Sequence, residues 1–183
     1  VCKHLVASGT ARKIVDHANY NPRVIEEMCE KYKTTEYTPA SFAKAFVEFL
    51  NDPSSIWSSA FEGQLSADGK ELLICFASLG GLTPLKKLEF AFQQFSDARH
   101  DPFNFGIRFR NALRELDGSF LMSHQESATG KISLQYHNPS VKDFTDSITS
   151  QTDIAREIVR RAVFHSQVTH REAWKTISID ELV

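Results

Sequence analysis

Long apolar runs are missing from this sequence. No stretch approaches the roughly 20 consecutive apolar residues that span a bilayer, and no charged start leads into the shorter apolar run of a signal peptide. The expectation is a soluble, cytoplasmic chain without membrane contact. Cysteine is scarce: Cys2, Cys29 and Cys75 are odd in number and show no C-x-x-C spacing, which argues against a disulfide framework or a zinc knuckle and reads as reduced thiols. Charge of one sign is not in excess. A net charge of −2 and a pI near 6.4 give no chain-wide attraction to nucleic acid or an anionic membrane, so such binding would need a local patch. His4, His17, His100, His124, His137, His165 and His170 include no His-x-x-x-His pair that would put two imidazoles on one helical face, so no metal site is expected. A G-x-S-x-G elbow is absent and no cysteine has a local histidine partner, so no catalytic residues are expected. Glu26-Glu27 and Asp143 with Asp146 read as solvated helix faces. Most consequential, the chain lacks G-x-x-x-x-G-K-S/T, the Walker A loop whose amides and lysine hold a nucleoside triphosphate, and it lacks a Walker B element as well. By itself it is expected to be no enzyme and to hold no cofactor of its own.

What is present is a helical protein. Hydrophobic residues make up 42%, including 14 phenylalanines, enough for real cores, and at 183 residues two small packed units are favoured over one. Five prolines follow a residue that caps helices: Asn21-Pro22, Thr38-Pro39, Asp52-Pro53, Thr83-Pro84 and Asn138-Pro139. Proline suits the first helical position because its missing N–H would be unpaired there, while the preceding side chain caps a free amide. Each pair predicts a helix start. Asp68 and Glu71 form a D-x-x-E capping pattern ahead of Leu72, Leu73, Cys75, Phe76 and Leu79, and Gly80-Gly81 ends that helix.

Helical periodicity places Phe42, Phe46, Phe49 and Leu50 in a core, then Ile56, Trp57, Ala60 and Phe61, with Trp57 expected where two units meet. Leu85, Leu88, Phe92 and Phe95 make the next stripe; Ile107, Phe109, Leu113 and Leu116 follow. One β signal stands out. Residues 120–124 and 131–136, with Ile132, Leu134 and Tyr136 alternating, flank a Ser-Ala-Thr-Gly turn and read as a hairpin. A helix from Pro139 carries Val141, Phe144 and Ile148, and one from about Asp153 carries Ile154, Ile158, Val159, Ala162 and Val163. From Asp68 to Tyr136 the order is helix, helix, helix, hairpin, the winged-helix arrangement.

Chemistry concentrates at Asn19-Tyr20-Asn21-Pro22-Arg23. If Asn21 caps a helix, Arg23 lies in its first turn, where free amides and the positive dipole end favour an anion and a guanidinium adds bidentate contacts to phosphate. The bland alternative is an ordinary helix opening.

The segment Asp16-His17-Ala18-Asn19-Tyr20-Asn21-Pro22-Arg23-Val24-Ile25-Glu26 resembles the lid motif of AAA+ and STAND NTPases. There a Gly-or-Asn-x-Pro element sits beside the adenine and, in several branches, the next arginine senses the terminal phosphate. The resemblance puts these roles on Pro22 and Arg23, with Asn21 beside them. His137-Asn138-Pro139-Ser140-Val141-Lys142-Asp143-Phe144, directly after the hairpin, resembles the element that prokaryotic STAND proteins related to antiphage systems carry in place of Met-His-Asp. Asn51-Asp52-Pro53-Ser54-Ser55-Ile56-Trp57 is also similar to these proteins. Superposing the helix starts puts Asn138, rather than His137, on the family's diphosphate-holding histidine, and Pro139 replaces its aspartate. His137 and Asn138 are both nucleotide-binding candidates; the alternative is that Asn138 caps and Pro139 starts a helix.

The resemblance implies a mainly α fold in parts: a helical lid at 1–66, a winged-helix domain with one small β-hairpin at 67–150, and the start of a helical linker or sensor region at 151–183. It implies a regulatory piece of a signalling NTPase that couples ATP or ADP state to conformational change and homo-oligomerisation in prokaryotic antiviral defence. Val1, with no initiator methionine, suggests a longer protein, whose upstream P-loop domain would bind ATP/ADP with Mg²⁺. The rival from another class is a winged-helix DNA-binding regulator. Arg108, Arg110 and Arg114 lie on the third helix, but Glu115 and Asp117 share it, Phe105, Ile107, Phe109 and Leu113 are expected to claim much of its surface for the core, and Glu126 opposes a lone lysine, Lys131, in the wing turn, so DNA binding is not favoured. A helical adaptor with no nucleotide response is the third reading, opposed by Pro22 and Arg23.

Overall fold

The computed structural model describes residues 2–34, 36–96 and 102–169. The fold is mainly helical with a small three-stranded antiparallel sheet. Helices α1 (Cys2–Ala7), α2 (Thr10–Val15), α3 (Pro22–Thr34) and α4 (Pro39–Asn51) come first. They enclose a core of Ile14, Val24, Met28, Phe42, Phe46 and Leu50, to which Ile56 of α5 (Ser54–Gln64) is added. The next residue, Trp57, already belongs to a second, larger core. Adjacent residues of one helix point about 100° apart, so α5 joins both cores.

The second core is built on α6 (Ala67–Ser78), β1 (Thr83–Pro84), α7 (Leu85–Phe95), α8 (Pro102–Leu116), β2 (Leu121–Gln125), β3 (Ile132–Tyr136) and α9 (Pro139–Thr149). Leu72, Leu73, Cys75 and Phe76 fill its centre against Leu88, Phe92, Phe109 and Leu116. Sheet order is β1-β3-β2, both pairings antiparallel, with Leu121 opposite Tyr136 and Thr83 opposite Leu134. From α10 (Thr152–Arg161), Ala155 and Ile158 close the same core, and α11 (His165–Thr169) follows. Of the segment 151–183, residues 170–183 lie outside the described residues, as do His100 and His170.

Caps and starts largely follow the proline pattern. Thr38 and Ser41 form a reciprocal capping box at α4, and Asn138 accepts from the Val141 amide at 3.1 Å. Three details differ. Thr83-Pro84 opens no helix but forms β1, because Thr83 is wholly buried and pairs with Leu134, and α7 begins at Leu85. At α6 the cap is Ser66, whose Oγ accepts from the Gly69 amide at 3.1 Å. Asp68 therefore sits inside the first turn, free to bind the Arg108 guanidinium through both oxygens. At α5 the start slips to Ser54, yet Asp52 still accepts from the Ser54 amide at 3.2 Å, and hydrogen bonding from the Ser54 side chain, with that from its amide, holds the Asp52 carboxyl below the usual carboxylate range.

Two expected core residues are outside. Ile107 is 51% exposed because Phe105, Phe109, Ala112 and Leu116 set the buried stripe of α8 and Ile107 lies about 200° from Phe105 around the helix. Val163 is 38% exposed because α10 stops at Arg161, where Ala162 turns extended. Gln167 Oε1 accepts the Val163 and Phe164 amides at 2.9 and 3.0 Å, satisfying backbone that the helix has released.

Candidate functional site

The turn at 16–21 is tied down before it reaches α3. The Asn19 amide donates to His17 Nδ1 at 3.1 Å, so the imidazole proton is on Nε2, which donates to Asn51 Oδ1 at 3.1 Å. Asn19 Nδ2 donates to the Leu50 carbonyl at 2.9 Å. Both contacts use the C-terminal end of α4, where carbonyls lack helical partners. The turn therefore delivers Asn21, 1% exposed, to a fixed place, and its carbonyl accepts the Ile25 amide at 3.2 Å.

A second polar unit forms where β3 runs into α9. The backbone amide of His137 donates to the Phe120 carbonyl at 2.9 Å, closing the hairpin base. Asn138, 8% exposed, accepts at Oδ1 from both the Val141 amide and the Ser140 hydroxyl, the latter at 2.7 Å. Ser140 in turn accepts from the indole N–H of Trp57 at 2.9 Å. Because the Val141 amide can only donate, the Asn138 side chain has one orientation, with Nδ2 directed away from the cap. That Nδ2 is buried and has no acceptor among the described residues.

The two units meet. Asn21 Nδ2 donates to His137 Nδ1 at 3.0 Å across 116 residues of sequence. With Nδ1 accepting, the neutral imidazole carries its proton on Nε2. The residue before α3 is thus joined to the residue before the cap of α9, so two helix starts converge. Helix starts carry unpaired amides and partial positive charge, and the free hydrogen-bonding capacity of His137 and Asn138 here is donor capacity. The arrangement suits an oxygen-rich anion more than a cation.

Of the residues singled out from sequence, Asn21, His137 and Asn138 are gathered at this junction. The side chains of Pro22 and Arg23 lie outside the described residues. Trp57 is fully buried at the junction and its N–H is satisfied there, as expected. Ser140 is a participant that the sequence does not mark, because its role comes from the Trp57 indole, 83 residues away in sequence.

Other surfaces are less organised. Arg108 is engaged by Asp68, while Arg110 and Arg114 are exposed. Glu115 accepts the Ser66 amide and hydroxyl, both at 2.9 Å. Among the described residues no three His, Cys, Asp or Glu side chains are grouped to hold a metal, and no helix is long and apolar enough to cross a membrane. Comparison of the chain with protein-family models, with curated proteins and with solved structures gives no match.

Proposed function

We propose that this chain is the regulatory lid and winged-helix region of a STAND-type signalling NTPase, one that couples ATP or ADP state to movement between its two cores. The observation that carries the reading is the Asn21–His137 hydrogen bond: two motifs that resemble separate nucleotide-facing elements of that family touch each other here. The order α6-β1-α7-α8-β2-β3 and the sheet order β1-β3-β2 support the winged-helix part. The His137 Nε2–H suits an oxygen of a nucleotide phosphate, and the buried, unpartnered Asn138 Nδ2 would reach one only when the two cores move apart. The nucleotide would bring its Mg²⁺ on a P-loop domain of the same protein, and this chain would supply donors. Homo-oligomerisation on activation and a role in cytoplasmic antiviral defence belong to the same proposal.

The test uses the intact protein that carries this chain. Arg23→Ala and Asn138→Ala should each reduce discrimination between ATP and ADP by about tenfold, the worth of one charge-assisted hydrogen bond. The 183-residue chain alone should show no ATPase activity above background. An intact protein that binds no nucleotide, or variants that discriminate like the wild type, would overturn the reading. The DNA-binding alternative is weakened by the Asp68–Arg108 pair, and tight retention of a duplex at physiological salt would revive it.

A further inference from the structure

The inner face of the hairpin is covered at one end and open at the other. Register puts Leu121, Ser123 and Gln125 of β2 on the same face as Tyr136, Leu134 and Ile132 of β3. Leu121 and Leu134 are buried against the helices, whereas Ile132 is 38% exposed. Beyond them run two adjoining hollows of about 500 and 220 Å³ that share Leu85 and Ile132, with Leu113 in the smaller one. Lys86 and Lys131 stand at the larger hollow, Arg114 and Asp117 at the smaller. None of these three cations forms an ion pair among the described residues.

A backbone edge opens into the same place. β1 stops at Pro84 opposite Ser133, so no β1 residue faces Ile132. The Lys131 carbonyl accepts the Glu126 amide on the β2 side at 2.9 Å. Antiparallel pairing alternates, so Ile132 turns its own N–H and C=O toward the side where β1 has ended. An open strand edge is a template for a further strand, and recognition by strand addition combines main-chain bonds with pockets for alternate side chains.

We propose that this groove takes an extended acidic peptide of a partner protein, which continues the line of β1 along β3, sets alternate apolar side chains against Leu85, Leu113 and Ile132, and presents its carboxylates to Lys86, Lys131 and Arg114. Lys86, Lys131 and Arg114 outnumber the two carboxylates nearby, Asp117 in the smaller hollow and Glu126, which accepts from the Thr129 hydroxyl at the larger, and this excess of positive charge sets the sign of the partner. The proposal is independent of nucleotide binding, which concerns the opposite end of β3.

The probe is fluorescein-Glu-Val-Glu-Val-Glu-amide, titrated with the chain and read by anisotropy. Saturable binding is expected, weakened at least about tenfold by the double change Lys86→Glu with Lys131→Glu and by raised salt. Both lysines are exposed, so circular dichroism melting of that variant should match the wild type. A peptide N-methylated at its central residues should lose binding, because methylation removes the edge-pairing N–H, and a Lys-Val-Lys-Val-Lys counterpart should bind at least about tenfold more weakly. The proposal is overturned if the probe does not bind up to about 1 mM, if N-methylation or charge reversal leaves affinity unchanged, or if the lysine peptide binds as well. It is also overturned if the groove proves occupied by a second copy, seen as self-association that the lysine changes abolish.

Discussion

Truncating Trp57 to alanine removes the largest wholly buried side chain among the described residues and the indole that binds Ser140. Its ring packs on Phe120 with centroids 5.4 Å apart. Loss of an aromatic of this size from a core costs about 3 to 5 kcal/mol, the transfer and cavity terms together. Trp57→Phe keeps much of the apolar contact but leaves Ser140 without its donor, so it should cost about 1 to 2 kcal/mol. For a chain of this size each kcal/mol moves the melting temperature by about 2 to 4 °C, giving drops of roughly 6 to 20 °C for alanine and 2 to 8 °C for phenylalanine. Circular dichroism melts with urea titrations as a check would measure both. Combining Trp57→Phe with Ser140→Ala should cost less than the sum of the two, because they share one hydrogen bond. An alanine variant that loses under about 1 kcal/mol would show that the junction packs loosely and refute the burial argument.

Gly81 has φ +91°, and a Cβ there would meet Cε2 of Tyr136 at 2.9 Å. The Tyr136 ring is held by Phe76 and by a 3.0 Å bond from the Thr145 hydroxyl, so Gly81→Ala should cost about 2 kcal/mol or more, read as a lower urea midpoint. Among thiols, exposed Cys29 should react at once with an aromatic disulfide reagent and buried Cys75 only on unfolding. Burial pushes the Cys75 thiol up, so the folded state holds a proton that the unfolded chain releases. That contribution is intact below about pH 8.5 and is lost above it at about 1.4 kcal/mol per pH unit, a slope that Cys75→Ala should remove.

Local rules made the helix starts legible because the cap and the proline act within four residues. Asn138-Pro139 and Thr38-Pro39 needed no tertiary information. Thr83-Pro84 did: the same dipeptide chemistry is overridden once β3 lies alongside, and a two-residue strand leaves no alternation to detect. Ile107 misled because it completes one helical stripe on paper while Phe105, Phe109 and Ala112 complete a better one. At the site, Asn21 and His137 were separately visible as motif residues, but their contact spans 116 residues and depends on how the two cores meet. Ser140 was invisible for the same reason, since its importance comes from Trp57 reaching across from α5.

The energies at the junction indicate which contacts would give way if the two cores moved apart. Separating α9 from α5 would uncover Trp57 and exchange its bond to Ser140 for water, at a cost of about 4 to 6 kcal/mol from the ring area exposed. Separating the first core from the second while α5 stays with α9 breaks the Asn21–His137 bond, worth about 1 kcal/mol. It also uncovers Ile56, at roughly 1.5 to 3 kcal/mol. The second route is the less costly, and its pivot falls between Leu50, which stays with the first core, and Trp57, which stays with the second. Asn51, Asp52 and Pro53 lie in that interval, so α5 would travel with the sheet and α9. On the proposed reading a nucleotide needs to tell the two arrangements apart by only about 1 to 3 kcal/mol, the usual scale of coupling between sites. Contacts to Asn21 or His137 can do this because their hydrogen bond exists in one arrangement and not in the other.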